Sequence, residues 1–293
     1  MKEDIHQGYM QVEGGKVWYG ISGADKPLTP LIVLHGGPGA PHHYLEPLNG
    51  LAAERPVIFY DQLGCGNSDR PKEVSLWTIG HFTQELDTVR RELGLEKLHI
   101  LGQSWGTMLA VDYMLAKKPA GIMSLVLSSP CLSTSRWHDD CRRLISEMEA
   151  NDRDAIMESE ARWNFDSDGY KKAIKDFYGR HLCRLSSWPD CITKTFENMG
   201  NDVYEHMWGP SEFTITGTLK GYERAGELKE ITVPALFTCG RYDEATPAST
   251  EYYHKMMPGS ELVVFEDASH MHHVEKTDLY LRTVESFIRR FDR

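Results

Sequence analysis

Six short runs of consecutive apolar residues recur along the chain. Runs of this length that are rich in Val, Ile, Leu and Phe are typical of strands buried on both faces of a parallel sheet. A further segment, MQVEGGKVWYG, alternates around Gly14 and Gly15 and predicts a hairpin at the edge of that sheet. The six runs occupy residues 30–36, 56–62, 98–102, 123–130, 233–240 and 261–267.

Helical spacing of apolar residues occurs between these runs. Between the second and third runs, apolar residues recur every three or four positions, which predicts an amphipathic crossover helix ending at Gly94. Residues 279–291 show the same spacing and predict a final helix packed on the sheet. The stripe of the crossover helix consists of Ile79, Phe82, Leu86, Val89 and Leu93.

The alternation of strands and helices breaks between about residues 131 and 230, where amphipathic stretches such as 136–149 and 170–182 replace the apolar runs. We therefore predict an α/β core formed by residues 1–130 and 231–293, with a helical cap inserted at 131–230. The core is an open, mostly parallel sheet with helices on both faces, and such sheets bind ligands at the carboxyl ends of their strands.

Composition narrows the range of partners and compartments. A net charge of -11 with no basic run disfavours nucleic acid, and no apolar run is long enough to span a membrane. The six cysteines form no C-x-x-C pair, and the first ten residues, MKEDIHQGYM, lack the apolar core of a signal peptide. We expect a reduced, cytoplasmic protein; a monomer is compatible with the sequence, which does not determine oligomeric state.

The segment Gly102-Gln103-Ser104-Trp105-Gly106 matches G-x-S-x-G and lies between a predicted strand and a predicted helix that ends before Pro119. A tight turn at this place favours glycine on either side of the serine and exposes the hydroxyl in the crevice. The sequence therefore predicts Ser104 as a nucleophile. The alternative is an ordinary turn in which Ser104 only caps the helix.

A serine nucleophile needs a base, which is itself oriented by a carboxylate. Asp243 follows the run at 233–240, and His270 follows the run at 261–267. The order Ser104, Asp243, His270 is the one expected when a G-x-S-x-G turn lies in a parallel sheet. We therefore predict acyl transfer with His270 as the base and Asp243 as its orienting acid.

Neighbouring residues offer competing interpretations. His270, His272 and His273 form an H-x-H-H pattern, but no further ligand stands at the spacing that metal sites use, so we expect neither metal nor cofactor. Asp267 is too close to His270 in the chain to orient it easily, and we expect it to cap the loop. The turn at residues 60–71 is expected to support the site rather than to hold a phosphate.

Attack on a carbonyl places negative charge on its oxygen, which preorganised N–H groups must stabilise. The glycine-rich segment LHGGPG follows the first buried run, and we predict the N–H groups of Gly37 and Trp105 as the donors. A loop that only turns tightly is the alternative for this segment.

Five motifs, HGGPG, DQxGCGxS, GxSWG, GxYDExTP and DxSH, occur in this order, and GPSEF stands in the predicted cap. Together they resemble the proline iminopeptidase family of α/β-hydrolases over nearly the whole chain. The resemblance implies an α/β-hydrolase fold and a serine aminopeptidase acting on short peptides or aminoacyl amides with a free amino end. It also implies that Glu212 and Glu244 bind that amino group and that Gly36 contacts substrate.

The chain departs from many bacterial members at Leu63, Asn67 and Gln103. A broader aminopeptidase and an amino acid amidase or esterase of the same fold therefore stay open as alternatives. A non-catalytic, hydrolase-like binding protein is the third hypothesis, although such proteins usually lack one member of the triad.

Overall fold

Eight strands form one sheet within residues 5–292, the part of the chain that the computed structural model describes. All six apolar runs contain strands, and the predicted hairpin forms on either side of Gly14. The strands are β1 (His6–Val12), β2 (Gly15–Ser22), β3 (Leu31–Leu34), β4 (Val57–Tyr60), β5 (Leu98–Gln103), β6 (Ile122–Ser128), β7 (Ala235–Gly240) and β8 (Glu261–Phe265).

The strand order is β1-β2-β4-β3-β5-β6-β7-β8. Pairs β1/β2 and β2/β4 are antiparallel and the other five are parallel, so the carboxyl ends of β3 to β8 lie along one edge of the sheet. In β3, Ile32 and Leu34 belong to the core on one face, and Leu31 and Val33 to the core on the other. Burial on both faces explains why these runs are apolar throughout.

The predicted crossover helix is α1, and the serine motif is followed by α2, whose last residue, Lys117, lies two positions before Pro119. The side chain of Thr78 caps α1 by accepting the N–H of His81 at 3.2 Å. The helices are α1 (Ile79–Glu92), α2 (Trp105–Lys117), α3 (Thr134–Ser146), α4 (Ala150–Arg162), α5 (Asp168–His181), α6 (Asp190–Glu197), α7 (Asn201–Met207), α8 (Pro247–Met256), α9 (His272–Glu275) and α10 (Thr277–Ile288).

The segment between β6 and β7 contains α3 to α7, and the stretches predicted as amphipathic overlap α3 and α5. Tyr222, which follows α7 in this segment, contacts a helix of the core: its hydroxyl donates to Asp112 on α2 at 2.6 Å. Trp137 of α3 packs edge-on against the ring of His270, with 5.9 Å between the centroids. Across residues 5–292, none of the helices combines the length and the apolar character that crossing a bilayer requires.

Candidate active site

Ser104 lies at the sharp turn between β5 and α2, with φ 54° and ψ -121°. A positive φ is unfavourable for a residue with a Cβ, so the surrounding structure must hold this conformation. The Ser104 N–H donates to the carbonyl of Ser128 on β6 at 2.9 Å, and the Ser104 carbonyl accepts the Thr107 N–H at 2.8 Å. Ser104, the nucleophile predicted from sequence, thus has a backbone conformation that hydrogen bonds to Ser128 and Thr107 stabilise.

The two glycines of the motif are required by close backbone approach. A Cβ on Gly102 would overlap the carbonyl of Gly106, and a Cβ on Gly106 would overlap the carbonyl of Leu34 on β3. Any side chain at either place would push α2 away from the sheet. The glycine spacing seen in the sequence is therefore a packing requirement of the turn that presents Ser104.

His270 and Asp243 come together at the same edge of the sheet, although 27 residues separate them in the chain. The Nδ1 of His270 donates to Oδ1 of Asp243 at 2.8 Å, and both side chains are buried. The backbone N–H of His270 donates to the carbonyl of His181 at the end of α5, at 3.0 Å. With Nδ1 committed to the carboxylate, Nε2 is the nitrogen left to act as a base.

Asp243 is itself held by hydrogen bonds to both carboxylate oxygens. Oδ1 accepts the Ala245 N–H at 2.8 Å, and Oδ2 accepts the Ser129 hydroxyl at 2.6 Å and the Gly240 N–H at 3.3 Å. Ser129 adopts φ 48° directly after β6, and sequence reasoning missed it because nothing in its local pattern indicates a contact with Asp243.

One narrow cavity of about 50 Å³ brings five of the predicted residues together: Gly37, Ser104, Glu212, Glu244 and His270. The remaining wall is mostly apolar, as is usual for cavities that bind small molecules. The apolar side chains of this wall are Ala40, Leu182, Ile192, Phe196, Met199 and Met271.

Glu244 directly follows Asp243 and is equally buried, yet neither of its carboxyl oxygens has a hydrogen-bond partner among the described residues. Burial, followed by the nearby Glu212 and Asp243, raises the pKa of Glu244 well above its ordinary range. Glu212 keeps some exposure and accepts the Tyr204 hydroxyl at 2.8 Å; desolvation raises its pKa as well. Two acidic groups thus share one desolvated corner of the cavity.

The predicted oxyanion donors occupy suitable elements. Gly37 lies in the loop after β3 with φ 104°, and Trp105 is the first residue of α2, where backbone N–H groups lack helical partners. The N–H of Gly36 donates to the Tyr44 hydroxyl at 2.7 Å, so this group is already committed within the protein. A Cβ on Gly36 would lie 3.1 Å from the Cβ of Ser104. Because Gly36 has no side chain, its backbone can lie close to Ser104.

The Tyr44 hydroxyl also donates to Oε1 of Gln103 at 2.6 Å, and the Tyr44 N–H donates to Thr195 Oγ1 on α6 at 2.9 Å. Tyr44 therefore links the loop containing Gly36, the residue before the nucleophile and the helical layer. Sequence reasoning noted Gln103 but missed Tyr44, because the contact joins segments that are 59 residues apart.

His272, His273 and Asp267, the alternatives to His270 and Asp243 in the sequence, make different contacts. Nε2 of His272 lies 3.0 Å from the Thr238 hydroxyl, and burial lowers the pKa of His272 to about 4. His273 donates from Nε2 to the carbonyl of Tyr44 at 3.2 Å. Asp267 lies at a turn with φ 54°, and the carboxylate that accepts the hydrogen bond of His270 Nδ1 is that of Asp243.

The turn at residues 60–71 packs beneath the site. Oε1 of Gln62 accepts the indole N–H of Trp105 at 2.8 Å, and the Gln62 N–H donates to Nε2 of His35 at 2.9 Å. These contacts fix the first residue of α2 against the loop that follows β3.

Comparison with known proteins gives consistent matches over nearly the full length. The α/β hydrolase fold family matches residues 29–277. The proline iminopeptidase of Heyndrickxia coagulans is 43% identical over 283 residues, covering 96% of this chain and 98% of the relative. That of Saccharolobus solfataricus is 39% identical over 288 residues, covering 97% and 93%.

Two solved structures superpose closely. The crystal structure of VinJ has a TM-score of 0.92 at 34% identity, covering 98% of this chain and 99% of VinJ. The proline iminopeptidase of Mycobacterium smegmatis has a TM-score of 0.91 at 32% identity, covering 98% of each chain.

Proposed function

This chain belongs to the α/β hydrolase fold family, in its proline iminopeptidase branch, and from that premise we propose that it is a serine aminopeptidase. Its substrates are short peptides or aminoacyl amides with a free amino end, from which it releases the first residue. The predicted fold and family membership are confirmed; the roles of individual residues below are part of the proposal.

The observation that carries the proposal is the Glu244 carboxyl in the cavity that also contains Ser104 and His270: it has no hydrogen-bond partner within residues 5–292, and Nδ1 of His270 lies 3.9 Å from its Oε1. A buried carboxylate without hydrogen bonds is unfavourable unless a cation compensates it. The ammonium group of a substrate, placed between Glu244 and Glu212, would supply that cation. Binding there leaves the first carbonyl carbon of the substrate facing Ser104.

The reaction then follows the order of acyl transfer. Nε2 of His270 takes the proton of the Ser104 hydroxyl as its oxygen attacks the carbonyl, and the N–H groups of Gly37 and Trp105 stabilise the oxyanion. The C–N bond breaks when His270 returns that proton to the leaving amine, which leaves the first residue as an ester of Ser104. Water, deprotonated by His270, cleaves the ester and restores the hydroxyl.

A matched pair of substrates tests the proposal: aminoacyl arylamides with a free amino end and their N-acetylated twins. We expect wild-type kcat/KM to favour the free amines by about 10²-fold, because acetylation removes the charge that the two carboxylates bind. Equal rates would favour the amidase or esterase hypothesis instead.

The nucleophile is tested separately. Ser104→Ala should abolish turnover, whereas Ser286→Ala, at an exposed serine on α10, serves as the matched control and should retain it. Failure of a fluorophosphonate probe to label Ser104 would favour the non-catalytic hypothesis.

Proline is among the first residues that we expect the cavity to accept. A narrow, mostly apolar cavity of about 50 Å³ suits a compact ring, and the relatives are named proline iminopeptidases. A panel of free aminoacyl arylamides measures the preference; a large aromatic first residue is expected to have the higher KM.

We also propose that the enzyme acts in the cytoplasm; a monomer is compatible with the sequence, which does not determine oligomeric state. All six cysteines are free thiols, which suits a reducing compartment. Cell fractionation tests the compartment, and sedimentation at assay concentration measures the oligomeric state.

A further inference from the structure

A second cavity of about 900 Å³ lies on the helical layer, beside the active-site cavity. Its lining includes Ile174, Lys175, Tyr178, Arg180, Trp188 and Phe196, and we call it the outer groove. Phe196 of α6 lines the active-site cavity as well, so the two spaces adjoin at this side chain. We propose that the outer groove binds the leaving part of a peptide substrate together with its terminal carboxylate; this inference depends on the proposed aminopeptidase function.

The groove follows one face of α5. Lys171, Ile174, Lys175 and Tyr178 line it at helical positions i, i+3, i+4 and i+7, so cationic and apolar side chains alternate along the same face. The other wall contributes Trp188 and Phe196, whose rings stack with centroids 5.7 Å apart. An apolar floor with cations along one side suits a short peptide that carries a negative charge.

The lining holds three cations, of which Lys171 pairs with Asp166 at 3.6 Å; the other two are Lys175 and Arg180. Among the described residues, neither Lys175 nor Arg180 forms an ion pair. Asp176, the carboxylate in the lining, is paired with Lys172 at 2.9 Å. Lys175 and Arg180 are therefore the cations of the lining that a negatively charged ligand could bind.

The geometry of α5 sets the length of the ligand. The helix ends at His181, whose carbonyl accepts the N–H of His270 at 3.0 Å, so its last turn lies beside the catalytic centre. Lys175 stands about 9 Å back along the helix axis at 1.5 Å per residue. An extended chain covers about that distance in three residues. The terminal carboxylate of a tetrapeptide would reach Lys175, and that of a shorter peptide would lie nearer Arg180.

The test compares a Pro-initiated tetrapeptide that has a free terminal carboxylate with the same peptide as its terminal amide. Wild-type kcat/KM should favour the carboxylate about fivefold, mainly through KM, because exposed charge pairs contribute modestly. The ratio should approach one in the double variant Lys175→Gln, Arg180→Gln. In Lys175→Glu, at an exposed position, it should fall below one.

Lys229→Gln, at an exposed lysine outside both cavities, is the matched control and should keep the wild-type ratio. Turnover of a prolyl arylamide by each preparation reports whether the catalytic centre is intact. A wild-type ratio of one, or a ratio that Lys175→Glu leaves unchanged, overturns the inference while arylamide turnover continues. Absence of arylamide turnover in the wild type would instead contradict the proposed function.

Discussion

Asp243 and Glu244 are consecutive in the chain and equally buried, each with about 1% of its surface exposed, yet they have opposite surroundings. The Asp243 side of the cavity supplies hydrogen bonds to both carboxylate oxygens, from three donors besides His270. The Glu244 side supplies none from the described residues. Burial alone therefore does not describe a carboxylate; what distinguishes these two is whether the protein or a ligand completes their hydrogen bonding.

The difference separates two tasks. A fully hydrogen-bonded carboxylate is held in one orientation, as a residue that positions an imidazole must be. A buried carboxyl without partners costs stability, and such costs concentrate at functional sites, where a ligand compensates them. We therefore expect the hydrogen bonding of Asp243 to be complete in the free protein, and that of Glu244 to be complete only when substrate is bound.

The largest effect on activity should come from replacing Asp243, the carboxylate whose hydrogen bonds the protein supplies. Asp243→Asn should lower kcat by about 10⁴-fold, because the amide no longer stabilises the protonated imidazole or selects the required tautomer. The measurement is kcat on a prolyl arylamide, with circular dichroism to confirm folding. A loss below tenfold in a folded variant would contradict the orienting role of Asp243.

Replacing Glu244 should affect the use of substrate more than the stability of the fold. Glu244→Gln should lower kcat/KM for free-amine substrates by about 10²-fold, since it removes one charged hydrogen-bond partner of the ammonium. The free energy of unfolding should stay equal or rise, because a buried acid that accepts no hydrogen bond from the described residues is removed. Titration with denaturant provides this second measurement, and a clear loss of stability would place Glu244 among structural residues.

The pH dependence of stability sharpens the same contrast. Because the pKa of Glu244 is raised in the folded protein, the native state holds more protons than the unfolded chain above the ordinary value of 4.5. Stability should therefore fall as pH rises through this window, by at most about 1.4 kcal/mol per pH unit for one group.

The informative quantity is the difference in unfolding free energy between Glu244→Gln and wild type, which should grow with pH. Glu85, whose pKa burial raises to about 8, contributes a slope of the same sign to both proteins and largely cancels. Identical pH profiles would show that Glu244 titrates normally in the folded state.

The smallest effect should follow Tyr204→Phe. Its hydroxyl donates to Oε1 of Glu212 at 2.8 Å, and the variant removes this hydrogen bond from Glu212. One neutral hydrogen bond to a charged group is lost, and we expect about a threefold rise in KM for free-amine substrates with kcat nearly unchanged. An unchanged KM would assign that hydrogen bond to packing alone.

Local pattern was sufficient for the sheet and for the ends of its strands. Runs of apolar residues indicated each parallel strand because both faces of the sheet are covered, and the glycines beside Ser104 marked a turn with no room for side chains. Asp243 and His270 could be proposed because parallel strands end at one edge, which brings residues that follow different strands together. The carboxylate pair Glu212 and Glu244 came from resemblance, since nothing in their local sequence indicates an ammonium site.

The sequence by itself thus determined the fold class and predicted a nucleophile and the order of its partners, because these depend on periodicity and on turn chemistry within a few residues. Only the tertiary structure decided which polar groups are satisfied: Ser129 donates to Asp243, Tyr44 donates to Gln103, and no group within residues 5–292 donates a hydrogen bond to Glu244. Hydrogen bonding and desolvation depend on every chain segment that surrounds a group, and those segments meet only when the chain is folded.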